Sequence, residues 1–368
     1  MGMNISEAHA DRRLTFNRDT GFHAELRRRV AEYFEQTGQR QRDCPEMYLK
    51  TAIILLAFMG LYVALVFVAV TWLQALGLSI LLGLAMAAIG FNIEHDGGHQ
   101  AYSNHQWINR LMAMTMDLLG ASSYVWHWKH DVTHHTYVNI TGHDVDIELG
   151  FVGRLSPHQK HFKLHRWQHL YLWPLYGLNV IKWQLYDDFR DIILGRIGQT
   201  RMPRPRRWGW VQFIGAKTVF FAMAFVIPLV RHPGWSVILF YAVTSFTAGI
   251  VVSVVFQLAH CVEEAEFSLP EKDSSVLANT WAIHQVETTV NFSRHSKVQT
   301  WLLGGLNFQV EHHLFPRLCH VNYPRISKLV EETCREYGVT YRQHPTFRLG
   351  LLSHFRWLRR MGTATASS

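Results

Sequence analysis

Cysteine is scarce in this chain, and its few residues are far apart in the sequence. Four cysteines occur among 368 residues and no two form a Cys-x-x-Cys pair. The pattern therefore indicates neither a disulfide framework nor a zinc finger. A reducing environment on the cytosolic side of a membrane fits it best.

Charge is missing from two long stretches. Residues 51–90 contain no charged side chain and no histidine, and residues 208–259 are nearly as apolar. Each stretch is long enough for two crossings, because about 20 helical residues span the hydrocarbon core of a bilayer. We therefore predict two helical hairpins. The predicted spans are about 51–71, 75–93, 210–230 and 235–259. Lys217 lies near the start of the third span, so we expect its amine to extend towards the lipid headgroups.

The Lys and Arg residues lie almost entirely in three segments, 1–50, 94–207 and 260–361. Basic residues accumulate on the cytoplasmic side of membrane proteins, which places both termini and these segments in the cytosol. The prediction is an all-α, multi-pass integral membrane protein, with 1–50 as a cytosolic N-terminal segment and 94–207 and 260–361 as a helical cytosolic cap. The same rule explains the net charge of +8, so no nucleic-acid partner is predicted. The small, polar residues 362–368 are expected to form a disordered tail.

Three further segments show helical spacing of apolar and polar residues. One lies in the N-terminal segment around Arg27, Arg28 and Arg29, and the others cover 105–125 and 169–195. We expect the last two to lie flat at the membrane interface as amphipathic helices.

Histidine is abundant and clustered. The chain has 23 histidines, and three clusters each follow a predicted membrane exit or amphipathic stretch. Residues four apart share one helix face, so His95 and His99 are predicted to face one metal ion, as are His130 and His134. His135 and His313 each turn about 100° from their neighbour, which suits a second ion. The predicted metal ligands of the three clusters are His95, His99, His130, His134, His135, His312 and His313.

This number of imidazoles indicates two metal ions. A structural zinc site needs only four ligands and is closed. Imidazole without cysteine suits zinc, copper, iron or nickel, so the residues alone leave the metal open. The carboxylates inside the clusters, Asp96, Asp131 and Glu311, are interpreted as partners that orient imidazole N–H groups, with plain cytosolic exposure as the alternative.

The clusters, their order and the four-span pattern resemble the membrane fatty acid desaturases. The likeness extends over about 48–339 and rests on the motifs HDGGH, KHDVTHHTYVNI, GLNFQVEHHLFP and a later NYPRIS. It implies a desaturase domain over 51–361. Glutamine at the start of the third motif resembles the front-end branch of the linoleoyl-CoA or delta-5/delta-6 type. That branch inserts a double bond between an existing one and the carboxyl end.

The resemblance also implies a further ligand near the cytosolic end of the fourth span. His260 matches that position, and His284 is the competing candidate. Gln309 is expected to bind weakly, through water or by hydrogen bonding alone. The remaining histidines near the clusters match no ligand position, and two acidic residues after the second cluster are either loop structure or substrate contacts. The histidines are His105, His127 and His143, and the acidic residues are Asp144 and Asp146.

The resemblance implies two non-haem iron ions, O2 and a fatty acyl substrate carried by CoA or a lipid. Electrons are expected from a separate donor such as ferredoxin or cytochrome b5 with its reductase. The motif His232-Pro233-Gly234 lies in a short turn between two spans, so it is interpreted as a turn and not as part of a fused haem domain. The alternatives are a hydroxylase of the same fold and, remotely, a membrane metal transporter, which needs polar groups inside its spans.

Overall fold

The computed structural model describes residues 14–271 and 274–363. Within these residues, four helices are long and apolar enough to cross a membrane. We call them spans 1 to 4. They are Pro45–Val68, Trp72–Gly98, Arg207–Leu229 and Gly234–His260. The predicted all-α architecture with four spans in two hairpins is confirmed.

Two spans extend further than the apolar runs suggest. Span 1 begins at Pro45, a residue suited to a first helical turn because its missing N–H has no partner there anyway. Span 2 continues through a π-helical turn at Gly90–Glu94 to Gly98. The charge of Lys50 is accommodated inside the protein, where its Nζ lies 3.0 Å from His320 Nε2. Apolar composition alone therefore underestimates both helices.

Small residues let the helices approach closely. A Cβ atom at Gly83 of span 2 would lie 2.5 Å from the Thr244 carbonyl oxygen of span 4. At Gly249 of span 4, a Cβ would lie 2.4 Å from the Gly177 carbonyl oxygen. Glycine allows such close backbone packing between helices in a membrane, where no hydrophobic force brings them together.

Lys217 of span 3 points into the protein and not towards the headgroups, so that expectation was wrong. Its Nζ donates to Asp188 Oδ2 at 2.8 Å and to the carbonyl oxygens of Gly120 and Gln184 at 2.6 and 3.0 Å. Because burying an unpaired ammonium is costly, these three acceptors explain the inward orientation. The contact fixes span 3 to the helices that precede it.

The segments between and after the spans are mostly short helices. Their bounds are Phe22–Thr37, Gln106–Ala113, Thr115–Leu118, Ser123–Trp126, His127–His134, His135–Tyr137, Val145–Ile147, Lys163–Trp167, Gln168–Tyr176, Leu178–Lys182, Trp183–Asp187, Asp188–Leu194, Trp281–Glu287, Lys297–Leu302, Gln309–Leu314, His320–Asn322, Tyr323–Glu336 and Phe347–Thr363. The helix expected over 105–125 is broken at Met114 and again around Gly120, which has a φ of +89°. The segment 169–195 is helical as predicted, but it packs along span 4 as well as facing outwards.

The described residues contain three pairs of short strands, of which two connect distant parts of the chain and one is a local hairpin. They are the parallel pair Thr15–Asn17 with Val276–Thr280, the antiparallel pair Arg196–Ile197 with Thr200–Arg201, and the parallel pair Asn291–Phe292 with Gln343–His344.

The N-terminal segment is part of the cap. Its helix Phe22–Thr37 buries Leu26, Val30 and Phe34 in an apolar cluster with the helix Tyr323–Glu336. At the other end, Gly362 and Thr363 belong to the last helix, so the predicted disordered tail does not begin at 362. The rest of that tail lies outside the described residues.

Large apolar side chains cover the outside of the spans. Leu56 and Leu73 are 73% and 79% exposed, and similar residues occur on all four spans. So much exposed apolar surface on a ring of long helices is the surface that lipid covers.

Candidate metal centre

Two spans end at the same place and bring histidines to it. His95 lies in the last turn of span 2, His99 directly follows that span, and His260 is the last residue of span 4. The third cluster reaches the same place on the short helix Gln309–Leu314. Because spans 2 and 4 run in the same direction and pack along each other, their C-terminal ends are neighbours.

The second cluster lies on a π-helix, His127–His134. A π-helix hydrogen-bonds from residue i to i+5, so residues five apart come together. His130 Nε2 and His135 Nε2 are accordingly 3.2 Å apart. The prediction that His130 and His134 share one ion assumed α-helical spacing, and the structure instead places them in different ligand groups.

The eight predicted histidines form overlapping groups whose ring nitrogens lie within 4.8 Å of one another. One group contains His95, His99, His130 and His312, and another contains His134, His260 and His313. A third, His135 with His312 and His313, connects them. All eight rings are buried.

The distances fit metal coordination. Two nitrogens bound to one ion at about 2.1 Å each are at most about 4.2 Å apart. His312 Nε2 is 3.0 Å from His135 Nε2, and His135 Nε2 is 3.2 Å from His130 Nε2. Several buried ring nitrogens also have no partner, among them His99 Nε2 and His134 Nε2. Buried nitrogens without partners are costly, and a bound cation satisfies them together.

Protein groups hold the opposite sides of these rings. His134 Nδ1 donates to Asp144 Oδ2 at 3.1 Å, and His99 Nδ1 lies 3.0 Å from Asp131 Oδ1. His313 Nδ1 donates to Gln285 Oε1 at 2.8 Å, His312 Nδ1 lies 3.1 Å from the Tyr323 hydroxyl, and His260 Nδ1 donates to the Thr288 carbonyl at 3.3 Å. Such partners fix the Nδ1–H tautomer and leave the Nε2 lone pair for metal.

Electrostatics favours neutral rings. Burial, followed by the neighbouring imidazoles, lowers the pKa of the rings that lie outside the spans, namely His99, His130, His135, His312 and His313. Burial also acts to lower the pKa of His134, but Asp144 outweighs it and the pKa is raised. Metal ions bind the neutral form of imidazole, so the lowered pKa values favour metal binding at most of these rings.

Two of the three carboxylates singled out in the sequence contact other groups. Asp96 Oδ2 accepts from His320 Nδ1 at 3.0 Å, and His320 lies outside the clusters. Glu311 accepts from the Tyr341 hydroxyl at 2.6 Å and from Asn291 Nδ2 at 2.8 Å. Neither carboxylate forms a hydrogen bond with a cluster imidazole among the described residues. Asp131 does contact one.

The two candidates for the extra ligand have different surroundings. His260 lies among the ring nitrogens of its group, whereas His284 Nε2 donates to the Val138 carbonyl at 2.9 Å. Burial lowers the pKa of His284 to about 4. Gln309 Nε2 lies 3.0 Å from His260 Nε2 and 3.3 Å from His313 Nε2, at the edge of the centre.

The flanking residues have other surroundings. His127 Nδ1 lies 2.7 Å from Asp131 Oδ2, His143 packs against Tyr137, and His105 is exposed at the start of a helix. Asp146 pairs with Lys129 at 2.7 Å.

A cavity of about 490 Å³ borders the centre. Its walls are mainly apolar, with Met86, Phe91 and Phe256 among them, and His95, His130 and Gln309 line one side. A second cavity of about 290 Å³ lies among the spans and shares Met86 and Leu119 with the first. The first cavity lies beside the rings and has the size of a small-molecule site, and the second is lined by residues of the spans.

Comparison with known proteins supports one assignment. The model of the fatty acid desaturase family matches residues 70–345. A sn-1 linoleoyl-lipid 6-desaturase of Synechocystis sp. is 39% identical over 96% of this chain and 99% of its own length. The enzyme of the same name from Arthrospira platensis is 39% identical over 95% of each chain, and an acyl-lipid (8-3)-desaturase of Physcomitrium patens is 34% identical over 93% of this chain and 72% of its own. The chain belongs to the fatty acid desaturase family and is an oxidoreductase of that kind.

Proposed function

We propose that this desaturase holds two iron ions and uses O2 to insert a cis double bond into an acyl chain of a membrane lipid. The observation that carries the proposal is the convergence of buried imidazoles at the ends of spans 2 and 4. The proposed ligands are His95, His99, His130, His134, His135, His260, His312 and His313.

One ion is proposed among His95, His99, His130 and His312, and the other among His134, His260 and His313. His135 lies between them. Gln309 is proposed to contact the second ion weakly or through water, since its side chain lies against two rings of that group.

Iron is proposed because it is the metal that membership of the fatty acid desaturase family implies. Imidazole ligands accept zinc, copper, nickel or iron, but zinc has no redox chemistry and desaturation removes two electrons from the substrate. When bound, the iron pair supplies O2 activation and the removal of two hydrogens from neighbouring methylenes. The protein supplies the position of the substrate and the exclusion of water.

The larger cavity is the proposed substrate site. Its apolar walls suit a hydrocarbon chain, and metal ions held by the imidazoles among its lining residues would lie next to that chain. Asp131 and Asp144 hold ligand rings, so they are proposed to set the direction in which the metal faces the cavity.

A lipid-linked, front-end substrate is proposed from the relatives. The names of the enzymes from Synechocystis and Arthrospira describe action on a linoleoyl-lipid, and that of the Physcomitrium enzyme describes action on an acyl-lipid. We propose the same carrier here, in preference to acyl-CoA. We also propose that the cap, both termini and the metal centre face the cytosol, where ferredoxin or cytochrome b5 with its reductase delivers the electrons.

Product analysis tests the proposal. The chain is expressed in yeast fed single defined fatty acids, and the products are identified by gas chromatography and mass spectrometry with assignment of double-bond positions. We expect products that lack two hydrogens, with the new bond on the carboxyl side of an existing one. Products that carry an added oxygen would instead identify a hydroxylase.

Variants and lipid classes complete the test. His312→Ala should abolish product while the protein stays inserted in the membrane, and His284→Ala is the matched control because His284 is equally buried outside the ligand groups. If the new double bond appears in acyl chains of intact lipids before it appears in acyl-CoA, the proposed carrier is supported, and the reverse order contradicts it.

A further inference from the structure

A group of exposed arginines lies beside the start of span 3. Arg196, Arg201, Arg204, Arg206 and Arg207 all lie within residues 196–207, and all are exposed. We call this group the arginine hairpin, because the first two belong to the strands Arg196–Ile197 and Thr200–Arg201. We propose that the arginine hairpin binds the anionic headgroups of membrane lipids.

The hairpin is a fixed platform. Exposed Arg196 and Arg201 alternate with Ile197 and Met202, which are buried in one apolar cluster with Phe213 of span 3. The Met202 N–H donates to the Gly195 carbonyl at 2.9 Å. The arginine side chains therefore project from anchored backbone, and binding a headgroup does not require ordering a free loop.

Its positive charge is not balanced by the nearby carboxylates. The acidic residues of the preceding helices pair elsewhere, Asp187 with Lys182, Asp188 with Lys217 and Asp191 with Arg190. None of the five arginines forms an ion pair with another described residue. An anionic partner from outside the chain is the complement of such a surface.

The depth of the hairpin identifies the partner as lipid. Phe213, which anchors it, lies six residues after Arg207, or about 9 Å along the helix at 1.5 Å per residue. The arginines are thus at the level where span 3 enters the bilayer. Trp208 and Ile193 beside them are 80% and 66% exposed. Exposed tryptophan and aliphatic side chains next to arginine, at the level where a span enters the bilayer, are typical of a membrane interface.

The surface also adjoins the metal side of the protein. Ile197 and Gly198 of the hairpin line a cavity of about 210 Å³ that shares Trp126 and Lys129 with the larger cavity beside the metal centre. The turn packs on the segment after the second cluster, since a Cβ at Gly198 would lie 2.5 Å from Val145 Cγ1. A headgroup bound at the hairpin therefore lies beside the active region.

Lipid titration followed by native mass spectrometry tests the proposal on the full-length protein in detergent. Phosphatidylglycerol is the anionic probe and phosphatidylcholine, with the same acyl chains, is the zwitterionic one. The variant Arg196→Gln/Arg201→Gln/Arg206→Gln should weaken phosphatidylglycerol binding by about tenfold or more, with phosphatidylcholine binding unchanged. The readout needs no turnover, so it is separate from the test of the desaturase reaction.

Two arginines of the cap provide the control. Arg27 and Arg335 are exposed on the helices Phe22–Thr37 and Tyr323–Glu336, and Arg27→Gln/Arg335→Gln should leave both affinities unchanged. Equal loss of phosphatidylglycerol binding in both variants would overturn the proposal, because it would reflect net charge alone. Unchanged lipid binding in the triple variant, together with slower reduction by cytochrome b5, would also overturn it and identify a protein-docking surface.

Discussion

At the scale of single residues, the metal centre depends on the protein groups that contact the Nδ1 side of the imidazole rings. Five of the eight imidazoles have a protein partner at Nδ1, and the partners range from carboxylates to a backbone carbonyl. Of these partners, Asp144 is a carboxylate that is fully buried. It accepts from His134 and also from the backbone N–H of Asn139 at 2.9 Å and of Asp146 at 3.0 Å.

Asp144→Asn should weaken metal binding. The amide cannot stabilise the His134 tautomer as the carboxylate does, and loss of such a partner typically costs 10–100-fold in metal affinity. Iron content after dialysis against a graded series of chelator concentrations measures the effect. Asp187→Asn is the control, because Asp187 pairs with Lys182 away from the rings. Equal iron retention in the two variants would contradict the role of Asp144.

The extra ligand can be tested by a matched pair of histidine variants. His260→Ala should lower the iron content of the purified protein, because it removes one nitrogen from the group around the second ion. His284→Ala should retain the iron of the unmodified protein, since that ring donates to a backbone carbonyl. Metal analysis by mass spectrometry measures both. Loss of iron in the His284 variant alone would reverse the assignment.

The histidines could be found from the sequence, but most of their partners could not. Clustered histidines stand out in the sequence because few other roles need so many imidazoles together. Asp131 was foreseen since it lies within a cluster. Gln285 and Tyr323 contact the rings only through tertiary packing, and Asp144 reaches His134 through a turn. Short-range spacing contains no information on such contacts.

At the scale of elements, helix type determines which rings meet. The α-helical spacing assumed for the second cluster pairs residues four apart, whereas the π-helix brings His130 and His135 together. The spans were predictable because the length of each uncharged, apolar stretch can be read directly from the sequence. Their ends were not, since Lys50 and Lys217 are both buried with partners that lie far away in the sequence.

The ion pair between Lys217 and Asp188 should matter for stability. Both side chains are almost fully buried, and Lys217→Met leaves the Asp188 carboxylate unpaired. Breaking a buried pair by removing one partner typically costs about 3–5 kcal/mol of unfolding free energy. Thermal unfolding in detergent, followed by circular dichroism, should show a clear decrease in Tm.

Lys182→Met is the control for this prediction. Lys182 pairs with Asp187 on the surface, with 58% of its side chain exposed, and such pairs contribute about 0–1 kcal/mol. Its Tm should stay close to that of the unmodified protein. A Lys217→Met variant as stable as this control would show that span 3 is held by packing alone.

At the scale of the whole molecule, the two hairpin turns lie at the opposite end of the spans from the metal centre. The turns are the residues between Val68 and Trp72 and between Leu229 and Gly234. The excess of Lys and Arg at the other end predicts that the cap faces the cytosol. The sequence predicted this arrangement from charge, while the folding of the N-terminal segment onto the cap required the structure.

Cysteine labelling of intact cells tests the orientation. Val70→Cys, in the first turn and 85% exposed, should react with a membrane-impermeant maleimide added outside. Arg317→Cys, exposed in the cap, should react only after the membrane is permeabilised. The native cysteines give a low background because all four are buried. The opposite pattern of labelling would place the cap outside the cell.

X-ray diffraction recorded on both sides of the iron absorption edge tests the central claim most directly. The account predicts two iron-specific anomalous peaks for each chain. One should lie among His95, His99, His130 and His312, and the other among His134, His260 and His313. A single peak, a zinc signal in place of iron, or iron located away from these imidazoles would contradict it.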